Sequence, residues 1–305
     1  MSAQPIIIYM HIPKAGGTTL ADWLYGQLRD LSGQEREAEE EGWLNSGVFY
    51  YSSGYIRELD ARDLARIMRV LPRPDLKAVL GHCNFGIHEQ LARPASYVTM
   101  LRHPVERVMS LYHFEKLVQA KYGDHEGIKI PAETTLESFV ESPPFKEVDN
   151  GQTRRIAGVW PDVGGCTRAM LERAKDNLRK HFAVVGLTER FDETLLLLKQ
   201  AFSWNRDVFY YPMNTNPGRT AMTREAQHTI DAILALNAFD YELYQFAIEQ
   251  MDSAVSRYGA AFQDQLEEFR VKKQAWYDDV SKNGETGLDN QPQRGNRTVR
   301  EKAHG

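Results

Sequence analysis

The residue types best suited to chemistry meet first in the run Lys14-Ala15-Gly16-Gly17-Thr18-Thr19, preceded by His11-Ile12-Pro13. Two glycines let a backbone approach an anion closely. The amides of residues 16–19 point out of a helix N-terminus, and Lys14 with two hydroxyls completes a phosphate cradle. A Gly-Gly turn with a threonine cap is the plain structural alternative. The lysine precedes the glycines and no Gly-Lys-Ser/Thr follows, which departs from the G-x-x-x-x-G-K-[ST] loop of nucleoside-triphosphate kinases.

A second cluster reads Arg102-His103-Pro104-Val105-Glu106-Arg107-Val108-Met109-Ser110-Leu111-Tyr112. Arg102 leaves the end of an apolar run, Pro104 suits an early helical position, and Ser110 lies two turns further on. Arg102 and Ser110 can therefore face one phosphate. His82, just after the run Leu76–Leu80, is the favoured proton acceptor, because an imidazole with a pKa of ~6.5 can take a hydroxyl proton at neutral pH. His88 and Glu89 form the reserve pair for that role, while His11 reads as a packed or loop-bracing side chain. No metal is expected, since neither an H-E-x-x-H pattern nor a paired Cys/His spacing occurs. Cys83 reads as a small buried hydrophobe.

These residues need a frame that brings residues 11–19, 82 and 102 together. Isoleucine-rich residues 5–12 have the composition of a central strand buried on both faces, followed by a loop and a helix capped by Thr18 or Thr19. Further strands are predicted at 76–81, 97–101 and 183–187, and helices at 61–71, 105–119, 167–181 and 191–202. Such alternation predicts an α/β fold, a parallel sheet covered on both faces, with ligands beyond the carboxyl ends of its strands. The acidic stretch 34–42 reads as a solvated connection. Residues 240–281 carry one helical pattern, a C-terminal extension packed on a core of residues 1–239, and residues 282–305 read as a disordered tail.

Composition narrows the function classes. A chain of 305 residues with 42% hydrophobic residues can bury a substantial core, and a formal net charge of −5 argues against nucleic-acid binding through the overall field. Two cysteines, Cys83 and Cys166, exclude a disulfide framework and fit a reducing, cytoplasmic setting. No apolar run reaches the roughly 18 residues of a membrane span, and the first residues lack the basic n-region of a signal peptide.

The order Pro-Lys-x-Gly-Gly-Thr-Thr at 13–19 resembles the 5′-phosphosulfate loop of sulfotransferases that use 3′-phosphoadenosine 5′-phosphosulfate (PAPS). The likeness is strongest to the carbohydrate group related to heparan sulfate 2-O-sulfotransferase. The run from Arg102 resembles that family's 3′-phosphate motif, R-D-P-x-x-R-x-x-S-x-Y, with His103 in place of the usual aspartate. Similarity extends from residue 5 to about 250 and includes Gly81-His82 and segments 149–154, 185–191 and 214–220.

The resemblance implies a P-loop-like parallel sheet, PAPS as cosubstrate, and a hydroxyl acceptor on a glycan or small molecule. Carried over residue by residue, Lys14, Ala15, Gly16, Gly17, Thr18 and Thr19 hold the 5′ end. Arg102 and Ser110 hold the 3′-phosphate with Arg107 in support, and Arg219 in the 214–220 loop is a further 3′-phosphate ligand. His82 is implied as the base and Lys14 as the cation at the leaving oxygen. Asn150, Thr153 and Arg154 are expected to line the acceptor or nucleotide pocket, against the plain reading of a helix start at 149–151. The acceptor rim is expected in 122–160 and the helices after Asp240. Two other readings stand beside this one: a nucleotide kinase built on the same strand-loop-helix device, and a nucleotide-binding regulatory protein without turnover.

Overall fold

A computed structural model of the chain describes residues 5–29, 37–39, 42–45, 47–51, 61–123, 130–211 and 225–282. In chain order the elements begin β1 (Ile6–Met10), α1 (Gly17–Leu28), β2 (Glu37–Glu39), β3 (Gly42–Asn45), β4 (Val48–Tyr51), α2 (Ala61–Val70), β5 (Ala78–Gly81) and β6 (Ala95–Leu101). They continue with α3 (Pro104–Tyr122), α4 (Leu136–Glu141), α5 (Gly151–Ala157), α6 (Arg168–His181), β7 (Phe182–Leu187) and α7 (Phe191–Ala201). The last three are α8 (Gln227–Leu236), α9 (Ala238–Tyr258) and α10 (Ala260–Lys282).

The strands form one sheet in the order β2-β3-β4-β5-β1-β6-β7. From β4 to β7 all neighbours are parallel, and β2 and β3 add an antiparallel margin. β1 lies between β5 and β6, which is why all five of its residues are apolar and buried. Registers pair Met10 with Gly81 and Thr99, and Leu101 with Leu187. The strand ends leading to His11, His82, Arg102 and Thr188 therefore lie along one edge of the sheet.

The acidic stretch expected to be a solvated connection instead contributes β2 and the start of β3. β2 is the outermost strand, where a ladder can form on one side without an apolar sequence. The single helical pattern after residue 240 divides at Gly259, whose φ of 64° is left-handed and ends α9. Leu243, Phe246 and Met251 of α9 and Phe262, Leu266 and Phe269 of α10 join the same apolar core as β1, α1 and α7. The expected boundary at 240 thus falls inside α9. A second apolar cluster, built on Val105, Val108, Met109, Phe139 and Ile233, joins α3, α4 and α8. Among the described residues no helix is long and apolar enough to cross a membrane.

Candidate active site

β1 ends at Met10, and residues 13–16 form a turn that delivers the chain into α1. The helix cap is Gly16, with φ 73°, rather than Thr18 or Thr19. Lys14 also has a left-handed backbone, φ 66°, unusual for a side chain with a Cβ and found where surrounding structure holds a tight turn in place. Helix geometry aims the amides of residues 17–19 out of the N-terminal end of α1, the arrangement that receives anions. Thr188 and Phe191 support the loop: a Cβ added at Gly16 would lie 3.5 Å from Thr188 Cγ2 and 3.6 Å from Phe191. Ala15 is fully buried beneath it, while Thr18 is half-buried.

Gly17 is required by contact. A Cβ there would stand 1.9 Å from His11 Cδ2 and 2.1 Å from His11 Nε2. The buried His11 ring in turn stacks on Tyr9 and lies 4.1 Å, centroid to centroid, from the His82 ring. Gly17→Ala is expected to displace His11 and with it His82. Stability should fall by about 1–3 kcal/mol, as for an overpacked core site, and turnover should fall with it. Thermal unfolding and rate measurements check this, and an unchanged protein would show that the histidine stack yields freely.

His82 follows β5 and is half-buried. Its Nδ1 lies 2.7 Å from the carbonyl oxygen of His11. A carbonyl only accepts, so Nδ1 carries the hydrogen and donates it, leaving Nε2 as the basic nitrogen of the neutral ring. That tautomer is the one a general base needs. The reserve pair lies elsewhere. His88 Nδ1 is 3.1 Å from the Tyr97 hydroxyl, and its ring contacts Phe85 and His181. Tyr97 is four residues before Leu101 on β6, roughly 13 Å of strand rise from the edge that bears Arg102. Burial holds the His88 pKa below its ordinary value, and the charge of His181 adds to that shift.

Arg102 is positioned from three sides. Its N–H donates to Gln152 Oε1 and its carbonyl accepts from Gln152 Nε2, both at 3.0 Å. Nη1 donates to the carbonyl oxygen of Lys14 at 3.0 Å, and Nη2 pairs with Glu106 at 3.2 Å. The arginine assigned to one end of the nucleotide is therefore bonded directly to the loop assigned to the other. Burial lowers its pKa below the ordinary arginine range, an effect that Glu189 opposes.

Along α3, Glu106, Ser110 and Phe114 follow at intervals of four and share one face. Glu106 touches Arg102, and the ammonium of Lys14 lies 3.8 Å from the centroid of Phe114. The half-buried Ser110 sits between these two contacts, on the face of α3 turned to the loop. Lys14, Arg102 and Ser110 are thus brought together, with His82 on the adjoining strand end.

Other expected site residues lie apart from this group. Asn150, expected at the acceptor pocket, is buried: its N–H donates to Asn237 Oδ1, its Nδ2 to Asp149 Oδ1 and Leu236 O, and its Oδ1 accepts from the amide of Asp240. Arg154 is fully buried, bonded to Asp149 and to the carbonyls of Pro161 and Asp162. Both are turned inward because α5 enters the interior and its polar groups must find protein partners there. Thr153 is buried beside them, its amide bonded to Asp240. Arg107 is fully buried, paired with Glu147 at 3.0 Å and Asp240 at 3.5 Å. Arg219 and residues 283–305 lie outside the described residues, as do 124–129 of the expected acceptor rim.

Gln152, Glu106, Glu189 and Phe114 were not singled out from the sequence. Gln152, Glu106 and Glu189 stand within segments of the resemblance (149–154, 102–112 and 185–191), which was the available signal; Phe114 declares itself only through its contact with Lys14. Among the described residues no group of three or more His, Cys, Asp or Glu could hold a metal ion, and neither cysteine is in a disulfide. Burial pushes the Cys83 thiol up to about 12, well away from thiolate chemistry.

A glycine-lined turn at the end of a central parallel strand, braced by an arginine from the next strand, makes this a P-loop-like α/β fold. The sequence model of the galactose-3-O-sulfotransferase family matches residues 76–295. The chain belongs to that family and is a carbohydrate-type sulfotransferase. Heparan-sulfate 6-O-sulfotransferase 2 of Gallus gallus is 27% identical over 314 residues, covering 90% of this chain and 73% of that protein. The Homo sapiens enzyme of the same name is 27% identical over 90% of this chain, which spans 48% of its length. Among solved structures, a sulfotransferase from Alicyclobacillus acidocaldarius aligns over 81% of this chain and 96% of its own, with 13% identity and a TM-score of 0.43. The resemblance had pointed to the 2-O group; these relatives carry 6-O and 3-O names, so the level they share is the carbohydrate sulfotransferase.

Proposed function

We propose that the chain transfers a sulfuryl group from PAPS to a hydroxyl of a carbohydrate, by in-line displacement. The observation that carries this is the bond between Arg102 and the carbonyl of Lys14, which joins the two anion-binding segments into one site beside His82. The loop 14–19 holds the 5′ end of the donor, and Arg102 with Ser110 holds its 3′-phosphate. His82 Nε2 removes the acceptor proton as the acceptor oxygen bonds to sulfur. The bond from sulfur to the phosphate oxygen breaks, and the charge developing on that oxygen is stabilised by Lys14. Lys14 lies over Phe114 and reaches the leaving oxygen by a side-chain rotation within its long stem.

Arg219 remains a proposed further ligand of the 3′-phosphate. The acceptor is proposed to be a glycan because the family and its relatives are named for such acceptors. A reducing, cytoplasmic setting is part of the proposal and rests on the two unpaired cysteines.

The test is nucleotide selectivity. The protein should bind 3′,5′-adenosine bisphosphate much more tightly than AMP, because charge-assisted contacts to the 3′-phosphate contribute about 1.5–3 kcal/mol each. Arg102→Ala should weaken both nucleotides through its contact with the loop and collapse the ratio between them. Equal affinities in the parent protein by calorimetry would remove the 3′-phosphate assignment, and preference for ATP would favour a kinase. Transfer of labelled sulfate from PAPS into a glycan panel tests the reaction itself.

A further inference from the structure

We propose that Glu106 is an internal counter-anion that tunes the donor site, competing with the 3′-phosphate for Arg102 and so weakening retention of the spent nucleotide. This rests on the site assignment above and goes beyond it, since that assignment gives Glu106 no role. Glu106 Oε2 lies 3.2 Å from Arg102 Nη2, with side-chain exposures of 22% and 13%. The pair is thus half shielded, in a setting where a unit charge counts for more than it does in open water. Glu106 also occupies the first turn of α3, where the helix dipole favours its ionised form.

A second carboxylate also acts on Arg102, and the next cation along α3 is paired elsewhere. Glu189 acts on it from the turn after β7 while accepting the amide of His103 at 3.0 Å. Arg107, the neighbouring cation on α3, is already held by Glu147 and Asp240. A phosphate monoester on Arg102 brings a charge of roughly −1.5 to −2, comparable with a phosphorylated side chain, next to the Glu106 carboxylate. Like charges at such distances repel. Glu106 must therefore surrender Nη2 and turn outward, and it re-forms the pair when the nucleotide leaves. AMP, with no 3′-phosphate, leaves the pair intact.

Glu106→Gln keeps the side-chain shape and removes the charge. By calorimetry it should bind 3′,5′-adenosine bisphosphate about tenfold more tightly than the parent protein, with AMP affinity unchanged. Glu106→Asp, which restores the charge, should return the bisphosphate affinity toward the parent value. Product inhibition by the bisphosphate should strengthen in Glu106→Gln by the same factor as its affinity. Glu106→Ser, with a small polar residue in the first turn, repeats the test should the glutamine variant fail to fold, and thermal unfolding verifies each protein. A parent protein that prefers the bisphosphate, combined with a neutral variant that binds it equally or less tightly, overturns the role of Glu106 and leaves the site assignment standing. Parallel changes for AMP and the bisphosphate also overturn it, by showing that Glu106 merely shapes α3. A parent protein with no preference between the two nucleotides overturns both.

Discussion

Replacing His82 by alanine is expected to lower turnover by about a hundredfold or more, the usual contribution of a positioned general base, while calorimetry finds 3′,5′-adenosine bisphosphate bound nearly as before. The separation follows from geometry. His82 contacts the carbonyl of His11 and the tilted His11 ring, and neither contact belongs to the loop or to Arg102. Its Nδ1–H donates to that carbonyl, so Nε2 is the nitrogen able to accept a proton. His82→Gln offers a polar side chain of related reach without a base of useful pKa, and should be equally slow. Near-normal turnover in either variant would move the proton to another group. His88 is no substitute, since it sits with Tyr97 and His181 away from the edge that bears Arg102.

The second large effect is on stability, beneath the site. Glu147 is fully buried between two equally buried arginines, with Oε1 3.0 Å from Arg107 and Oε2 2.9 Å from Arg155. Burial raises its carboxyl pKa above the ordinary value, and the charges of Arg155 and Arg107 offset part of that rise. Glu147→Ala would leave two guanidinium groups without this anion in a dry interior. Removing one partner of such a group destabilises by about 3–5 kcal/mol, enough to consume much of the stability of an ordinary domain. Denaturant titration should show the midpoint falling steeply. A loss below about 1 kcal/mol would mean that the arginines are rehydrated without penalty. Because Arg107 lies on α3 and Arg155 on α5, which carries Gln152, a surviving variant should also hold Arg102 less firmly.

Much of the frame was legible because its physical signal is local. The isoleucine-rich run at 5–12 has the composition of a strand buried on both sides, and Pro104, two residues after Arg102, suits a helix start. The strand-turn-helix at 11–19 was legible for the same reason, although its cap is Gly16 rather than a threonine. What stayed hidden depends on partners far along the chain. Val48–Tyr51 is too short to separate from any apolar patch until β5 is seen beside it. The acids of β2 read as solvated because an outermost strand needs no apolar face. Asn150 and Arg154 show why a polar segment is hard to place from sequence. Polar residues in a glycine-containing segment suggest a pocket, yet here they fill the bonding capacity of Asp149, Asn237 and Asp240 inside the protein. Nothing in the local sequence distinguishes a polar group facing a ligand from one facing its own scaffold.

The indole of Trp23 on α1 donates to the carbonyl of Val208 at 2.8 Å, across a separation of 185 residues, and Gln27 reaches Arg206 in the same way. Segment 204–211 is gripped in turn by α10, through Tyr277 on the carbonyl of Tyr210 and the rings of Phe209 and Trp276. A chain made from its N-terminus at about 5–20 residues per second therefore carries α1 for many seconds before Arg206 and Val208 can accept these two bonds. On the ribosome, α1 therefore emerges well before two of the carbonyls that receive its side chains. The segment bearing those carbonyls in turn meets its own brace on α10 only once residues 276 and 277 have been added, so this side of α1 is completed by the last part of the described chain.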